Sequence, residues 1–153
     1  MKKVSESVVI MHELVLPNDT NILGNVLGGR VMHLIDMCAA MSAYKHARSP
    51  IVTASIDHLN FLSPSKKGDI LILRSSVNYV STTSMEIGVR VESEDTLTGE
   101  VKHTASAHLT FVALGDNKKP KQIEKIEAST EIEQNRYNAA KSRVENRKKG
   151  LSK

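Results

Sequence analysis

Asp36 is the residue whose setting points most directly to chemistry. It falls inside an apolar stretch, RVMHLIDMCAAMSAYKHA over residues 30–47, between Ile35 and Met37. A carboxylate among apolar neighbours must be paired, protonated or aimed into a cavity, because burying it alone costs its solvation. So placed, it can act as a general base or as a nucleophile. The bland alternative is a carboxylate on a solvated side of the helix. The apolar residues around Asp36 argue against it.

Gly28 and Gly29 open the same stretch. The first N–H groups of a helix have no partner within it, and they sit at the positive end of its dipole. Glycine lets a ligand approach that backbone closely, so the pair can stabilise an oxyanion; a plain loop-to-helix glycine pair is the alternative. The preceding loop supplies Asn18, Asp19, Asn21 and Asn25, residues that form turns and that can also orient a water or a carbonyl. Lys66 and Lys67 could hold a phosphate, as could the hydroxyls and N–H groups of Ser81, Thr82, Thr83 and Ser84; solvated loops explain both equally well.

Other routes to catalysis are poorly served. Cys38 reads as a small buried hydrophobe with no cation beside it to lower its pKa. The six histidines lack zinc spacing, and His103 and His108, five apart in a strand, are expected on opposite faces. There is no G-x-S-x-G elbow, Walker A loop or dinucleotide fingerprint.

The elements that would carry these residues are legible. Residues 4–16 read as a strand and 17–27, rich in Asn, Asp, Thr and Gly, as a loop. Residues 28–47 read as one helix, apolar on nearly all sides and therefore buried, that Pro50 forbids from continuing. Strands follow at 51–61, 69–80, 84–94 and 100–114, the last three as a meander of hairpins. In 84–94, Met85, Ile87, Val89 and Val91 alternate with Glu86, Gly88, Arg90 and Glu92, so one face is buried. An antiparallel sheet wrapped round one helix is an α+β arrangement. Its open edges and small core predict dimerisation, by edge-to-edge strand pairing. The segment 117–129 is polar and extended, and 130–149 has helical composition.

Composition agrees with a globular domain. Hydrophobic residues make up 40% and charged residues 25%, so a packed core is possible; with aromatics at 3% it must be aliphatic. The single cysteine excludes an internal disulfide and fits a reducing compartment. There is no apolar run of signal-peptide or membrane-spanning character, which predicts a cytoplasmic protein with no membrane partner. Residues 118–153 hold 11 Lys and Arg against 5 Asp and Glu, whereas residues 1–117 hold 10 against 12. The basic charge therefore belongs to the tail, and no nucleic-acid partner is expected. The division is a domain over 1–116 and a basic, partly helical tail over 117–153.

Four segments in order, PNDTNILGNVLGGRVMHLIDMCAA, IVTASIDHLNFLSPSKKGD, VNYVSTTSMEIGVRVESEDTLTGE and TASAHLTFVAL, resemble the acyl-CoA hydrolase branch of the hotdog thioesterases. The likeness covers about residues 8–115, and the charged tail is also of that type. It implies the hotdog fold, a five-stranded antiparallel sheet around one long helix. It also implies dimers assembled as trimers of dimers, a homohexamer. The activity implied is hydrolysis of fatty acyl-CoA to fatty acid and CoA. No metal and no separate cofactor are needed, since coenzyme A is part of the substrate and product.

The resemblance implies a site at the dimer interface. Asp36 would be general base or nucleophile, and Asn21 would come from the other subunit, with Asn25 as second choice for the amide. Gly28 and Gly29 would hold the thioester oxygen. The CoA phosphates would lie near Lys66, Lys67 and the 81–84 turn, and the acyl chain in an apolar tunnel beside the helix. One departure is Leu27 before the glycines, where relatives often carry His; it alters the mouth of the site but removes no proposed catalytic group. Two alternatives remain, a hotdog dehydratase and a non-catalytic acyl-CoA sensor. The first calls for a histidine beside the carboxylate, and His33 is three residues from Asp36. The second has no use for a desolvated carboxylate.

Overall fold

The structure is a computed structural model describing residues 1–151, so that the last two residues of the expected tail, Ser152 and Lys153, lie outside it. In chain order it contains β1 (Lys2–Lys3), a 3-10 turn (Val4–Ser7), β2 (Val9–Leu14), a second 3-10 turn (Pro17–Asp19) and α1 (Gly28–Ala47). There follow β3 (Ile51–Phe61), β4 (Ile70–Val80), β5 (Ser84–Glu94), β6 (Val101–Ala113), β7 (Ile126–Glu127) and α2 (Glu131–Leu151).

Strands β2 to β6 form one antiparallel sheet in the order β2-β4-β5-β6-β3, with the expected meander β4-β5-β6 at its centre. Alternate residues of those strands, among them Leu73, Val77, Ile87, Val91, Leu109 and Phe111, face α1 and are buried with its Val31, Leu34, Ile35, Cys38 and Ala39. Each such aliphatic side chain contributes about 1.5–3 kcal/mol by leaving water. Helix α1 ends where Arg48 turns left-handed (φ 50°) and returns its N–H to Tyr44 at 2.9 Å. Pro50, two residues on, could not have continued it.

The structure corrects four expectations. The first strand is broken, because side chains of residues 3–7 satisfy the backbone locally. Glu6 accepts the Lys3 N–H at 2.7 Å, and the Ser7 hydroxyl donates to the Val4 carbonyl at 2.7 Å while accepting the Val77 N–H at 3.0 Å. Serine and glutamate here offer the chain an alternative to the ladder. Second, α1 is not buried on all sides: Met37, Met41 and Tyr44 are 39–48% exposed along one face. Third, His103 and His108 share the outer face of the sheet. The β5–β6 register slips at Thr104, between the pairs Val91–Ala105 and Glu92–His103, and one inserted residue reverses the alternation.

Fourth, the outer face of β5 is not left to solvent. Helix α2 packs on the adjacent strand β4, with Ala140 fully buried and Tyr137 edge-on to Tyr79 at 5.0 Å, and its Arg143 reaches over to β5. Glu86 is thereby buried and takes a bidentate ion pair from Arg143 at 2.8 and 2.9 Å and a hydrogen bond from Asn78 at 3.0 Å. The extended segment before α2 is anchored as well: β7 pairs in parallel with β1, and Ile123 and Ile126 join the core cluster. Among the described residues no helix is long and apolar enough to cross a membrane, and no cluster of His, Cys, Asp or Glu could hold a metal ion.

Candidate active site

Asp36 projects from the exposed flank of α1 toward β3 and is half-buried, not enclosed in the core. Its Oδ1 accepts a hydrogen bond from the Thr53 hydroxyl at 2.9 Å. Thr53 can reach it because β3 pairs Thr53 with the inward-facing Phe111 and then slips register, so that Ser55 pairs with the outward-facing Thr110. Two residues normally on one face are thus sent to opposite faces. One carboxylate oxygen is fixed by a neutral donor, and the other has no partner among the described residues.

Asn21 sits in the loop before α1 with its carboxamide oxygen already engaged. It accepts the N–H groups of Leu23 at 2.9 Å and Asn25 at 3.2 Å, an Asx-type turn. Asn21 is exposed, and its amide NH2 has no acceptor among the described residues. The loop is pinned from several sides. Val26 donates its N–H to the Ser65 carbonyl at 2.7 Å, Leu27 to the Asp19 carbonyl at 2.8 Å, and Lys67 to the Gly24 carbonyl at 3.0 Å. Arg30, in the first turn of α1, pairs with both Glu13 (2.9 Å) and Asp19 (3.3 Å). Asn25 serves this scaffold mainly through its backbone, bridging to Lys66.

Gly28 and Gly29 begin α1 behind an N-cap, Leu27, that offers no side-chain acceptor. Neither glycine N–H donates to an acceptor within the described chain, and both residues are exposed. The ring of Phe61 lies over Gly28, where an added Cβ would stand 3.6 Å from it, while the space above Gly29 is open. A polarised oxygen could therefore meet two N–H groups and a helix dipole together.

Two groupings expected from sequence do not form within one chain. Asp36 lies eight residues beyond Gly28, about 12 Å along the helix axis, too far for both to act on one carbonyl. The 66–67 pair and the 81–84 turn sit at opposite ends of β4, roughly 35 Å apart at the rise of an extended strand. Lys66 and Lys67 are exposed beside the Asn21 loop. The 81–84 turn is largely occupied with structure. The Ser81 and Ser84 hydroxyls bond to each other at 2.6 Å, and the Thr82 carbonyl accepts the Ile123 N–H at 2.9 Å. Lys125 Nζ donates to the Ser81 carbonyl at 2.8 Å, which ties the tail to that corner.

Sequence reasoning missed Thr53, since nothing in TASID signals the bulge that turns it inward. It also missed the buried Glu86–Arg143 pair. There burial alone would raise the Glu86 pKa, but the bonds from Arg143 and Asn78 outweigh it and hold the carboxyl below the usual glutamate range. Burial lowers the pKa of His108 beside it, and its buried Nδ1 has no hydrogen-bond partner among the described residues.

Comparison with known proteins places these features in a family. The family model described as the thioesterase superfamily matches residues 23–100. The chain is 41% identical to an uncharacterized acyl-CoA thioester hydrolase of Bacillus subtilis, over 94% of this chain and 83% of that protein. A crystal structure of an apo-hexameric acyl-CoA thioesterase superposes with a TM-score of 0.93 at 46% identity, covering 97% of this chain and 96% of that one. The Staphylococcus aureus acyl-CoA hydrolase, solved with butyryl coenzyme A, coenzyme A and coenzyme A disulfide, superposes with a TM-score of 0.91 at 40% identity, covering 98% and 92%. Further structures of that enzyme carry alanine in place of one aspartate, one threonine or one asparagine. The fold, an antiparallel five-stranded sheet on one long helix, is the hotdog fold, and the chain belongs to the thioesterase superfamily, within its acyl-CoA hydrolase branch.

Proposed function

We propose that the chain hydrolyses fatty acyl-CoA thioesters in a site shared between two subunits of a homo-oligomer. The observation that carries this reading is the division of the site within one chain. An uncapped glycine N-terminus with Asn21 stands at one place, and a carboxylate held by Thr53 stands about 12 Å further along the same helix. Both open onto the exposed apolar face of α1, beside the free edge of β3. A two-fold partner seated on that face can bring one half-site to the other.

The chemistry then runs as follows. The Gly28 and Gly29 N–H groups polarise the thioester carbonyl. Asp36 of the partner subunit takes a proton from a water whose oxygen attacks the carbonyl carbon. Asn21 directs its amide NH2 at that water or at the developing oxyanion. The tetrahedral intermediate collapses with cleavage of the C–S bond, and the proton on Asp36 passes to the departing CoA sulfur. Lys66 and Lys67 meet the CoA phosphates near the same helix end. The 81–84 turn can contribute only from another subunit. We favour the water route over direct attack by Asp36.

The Staphylococcus aureus variants support the assignment. The asparagine, aspartate and threonine replaced there are separated along that chain by the same intervals as Asn21, Asp36 and Thr53 here. The hexameric relative supports a hexamer, which we take to be a trimer of dimers. The test is free CoA release from a panel of saturated acyl-CoAs. We expect turnover by the wild type and a loss of roughly 10²–10⁴-fold in Asp36→Ala, with its oligomer intact by size-exclusion chromatography. Tight acyl-CoA binding without turnover would sink the hydrolase and leave a sensor, and water loss from a hydroxyacyl-CoA would mark a dehydratase.

A further inference from the structure

We propose that Phe61 sets the acyl-chain length this protein accepts, by roofing an apolar cavity beside the first turn of α1 that receives the carbons next to the thioester. The inference rests on the acyl-CoA hydrolase reading and adds to it a location and a specificity-determining side chain.

The cavity has a volume of about 350 Å³ and lies between the start of α1 and the end of β3. Val26, Val31, Phe61 and Leu62 give it carbon walls. Its polar lining residues have their hydroxyls turned elsewhere. Ser63 donates to the His103 carbonyl at 2.8 Å, Ser65 to the Asp69 carboxylate at 3.3 Å, and Thr104 bonds to the Ser93 hydroxyl. The nearby backbone is engaged too, since the N–H groups of Leu62 and Ser63 both point to the Thr104 carbonyl and the Ser65 carbonyl accepts from Val26.

That inventory discriminates between the two arms of an acyl-CoA. The pantetheine arm carries two amides, and apart from the Gly28 N–H assigned to the thioester oxygen the hydroxyls and N–H groups described for this cavity are already engaged, so those amides would lose water for little return. An alkyl chain brings no such demand and gains by leaving water. The pantetheine arm is therefore excluded from the cavity, and the acyl group fits it. The cavity also starts where the reacting carbonyl is placed, because the Phe61 ring rests on Gly28. Val31, 1% exposed, lies deep in it, while Phe61, 52% exposed, forms its outer rim. A rim residue of that size can be changed without opening the core.

The experiment measures kcat/KM for acyl-CoAs of increasing even chain length in the wild type, Phe61→Ala and Phe61→Trp, as the full-length oligomer. Each methylene newly accommodated is worth roughly a fourfold gain. Phe61→Ala should therefore raise the ratio of long-chain to short-chain kcat/KM by at least about tenfold, and Phe61→Trp should lower it. Ratios that stay at the wild-type value, or variants that slow every chain length by one factor, overturn the assignment while turnover itself stands. Absence of turnover by the wild type at every length overturns the hydrolase reading and this inference with it.

Discussion

At the scale of single residues, Asp36 and Thr53 show what a sequence reports and what it conceals. Asp36 was visible because a charge interrupts an apolar helix. The apolar surround expected for it is only partial: Met37 is exposed, and the carboxylate stands half-buried at the border of that face, held by Thr53. Thr53 was invisible because its direction depends on one slipped register in β3, and a one-residue slip cannot be read from a run of β-formers. The pair makes a prediction at its own scale. Thr53→Val keeps the side-chain shape and removes the 2.9 Å hydrogen bond to Asp36. A hydrogen bond to a charged group is worth about 1.5–3 kcal/mol, so kcat should fall roughly tenfold or more, with the melting temperature nearly unchanged because Thr53 is exposed. Steady-state CoA release and thermal unfolding on the same preparation check both halves.

At the scale of elements, the boundaries of α1, β3 and β5 were legible almost to the residue, because Gly, Pro and short polar loops punctuate regular hydrophobic periods. The role of α2 was not. Its thin apolar stripe in the sequence, Ile132, Tyr137, Ala140 and Val144, gave no sign of what it covers, and Ile132 is in fact exposed; the alternation in β5 put Glu86 opposite the buried face. The helix is latched instead by Arg143 onto a buried Glu86 that Asn78 also holds, and Gly88 belongs to the same device. A Cβ there would come within 2.8 Å of the Asn78 amide. Arg143→Ala leaves the Glu86 carboxylate buried without its cation, which should cost about 3 kcal/mol near neutral pH. The sign with pH follows from the direction of the shift. The Glu86 pKa is lowered in the folded state, so the pair's contribution is complete above the unfolded value of about 4.3 and is lost as pH falls below it. Without Arg143 the largest of the causes that lower the Glu86 pKa is gone, and burial pushes it back up. Urea titrations between neutral and acid pH should therefore show the gap between wild type and variant narrowing as pH falls. A gap independent of pH would mean that Glu86 is not the group responsible.

At the scale of the molecule, the exposed side of α1 and the open edge of β3 form one surface, unpartnered among the described residues, with Met37, Met41, Tyr44, Phe61 and Leu62 at 39–58% exposure. Hydropathy marked α1 as a helix to be covered, but it cannot say whether the cover is the chain's own sheet or a second copy. That is why the helix looked buried all round and is not. The same surface carries Asp36, so the proposed shared site ties activity to assembly. Met41→Glu puts a charge on the face without touching the core, and it should shift the protein toward monomer in sedimentation and abolish hydrolysis together, leaving its circular dichroism folded. A monomer that retained full turnover would place the site within one chain.

The most direct test of the shared site is complementation between two inactive chains. Asn21→Ala and Asp36→Ala are each expected to lose nearly all CoA release, since every site then lacks one group. Co-expressed, they form mixed dimers in which one of the two sites draws an intact Asn21 from one chain and an intact Asp36 from the other. Random pairing across an isologous interface should restore about a quarter of the wild-type activity. Recovery near that level is the predicted result. Mixed oligomers, verified by two affinity tags, that remain as inactive as either parent would contradict the account, because they would mean that Asn21 and Asp36 act within the same chain.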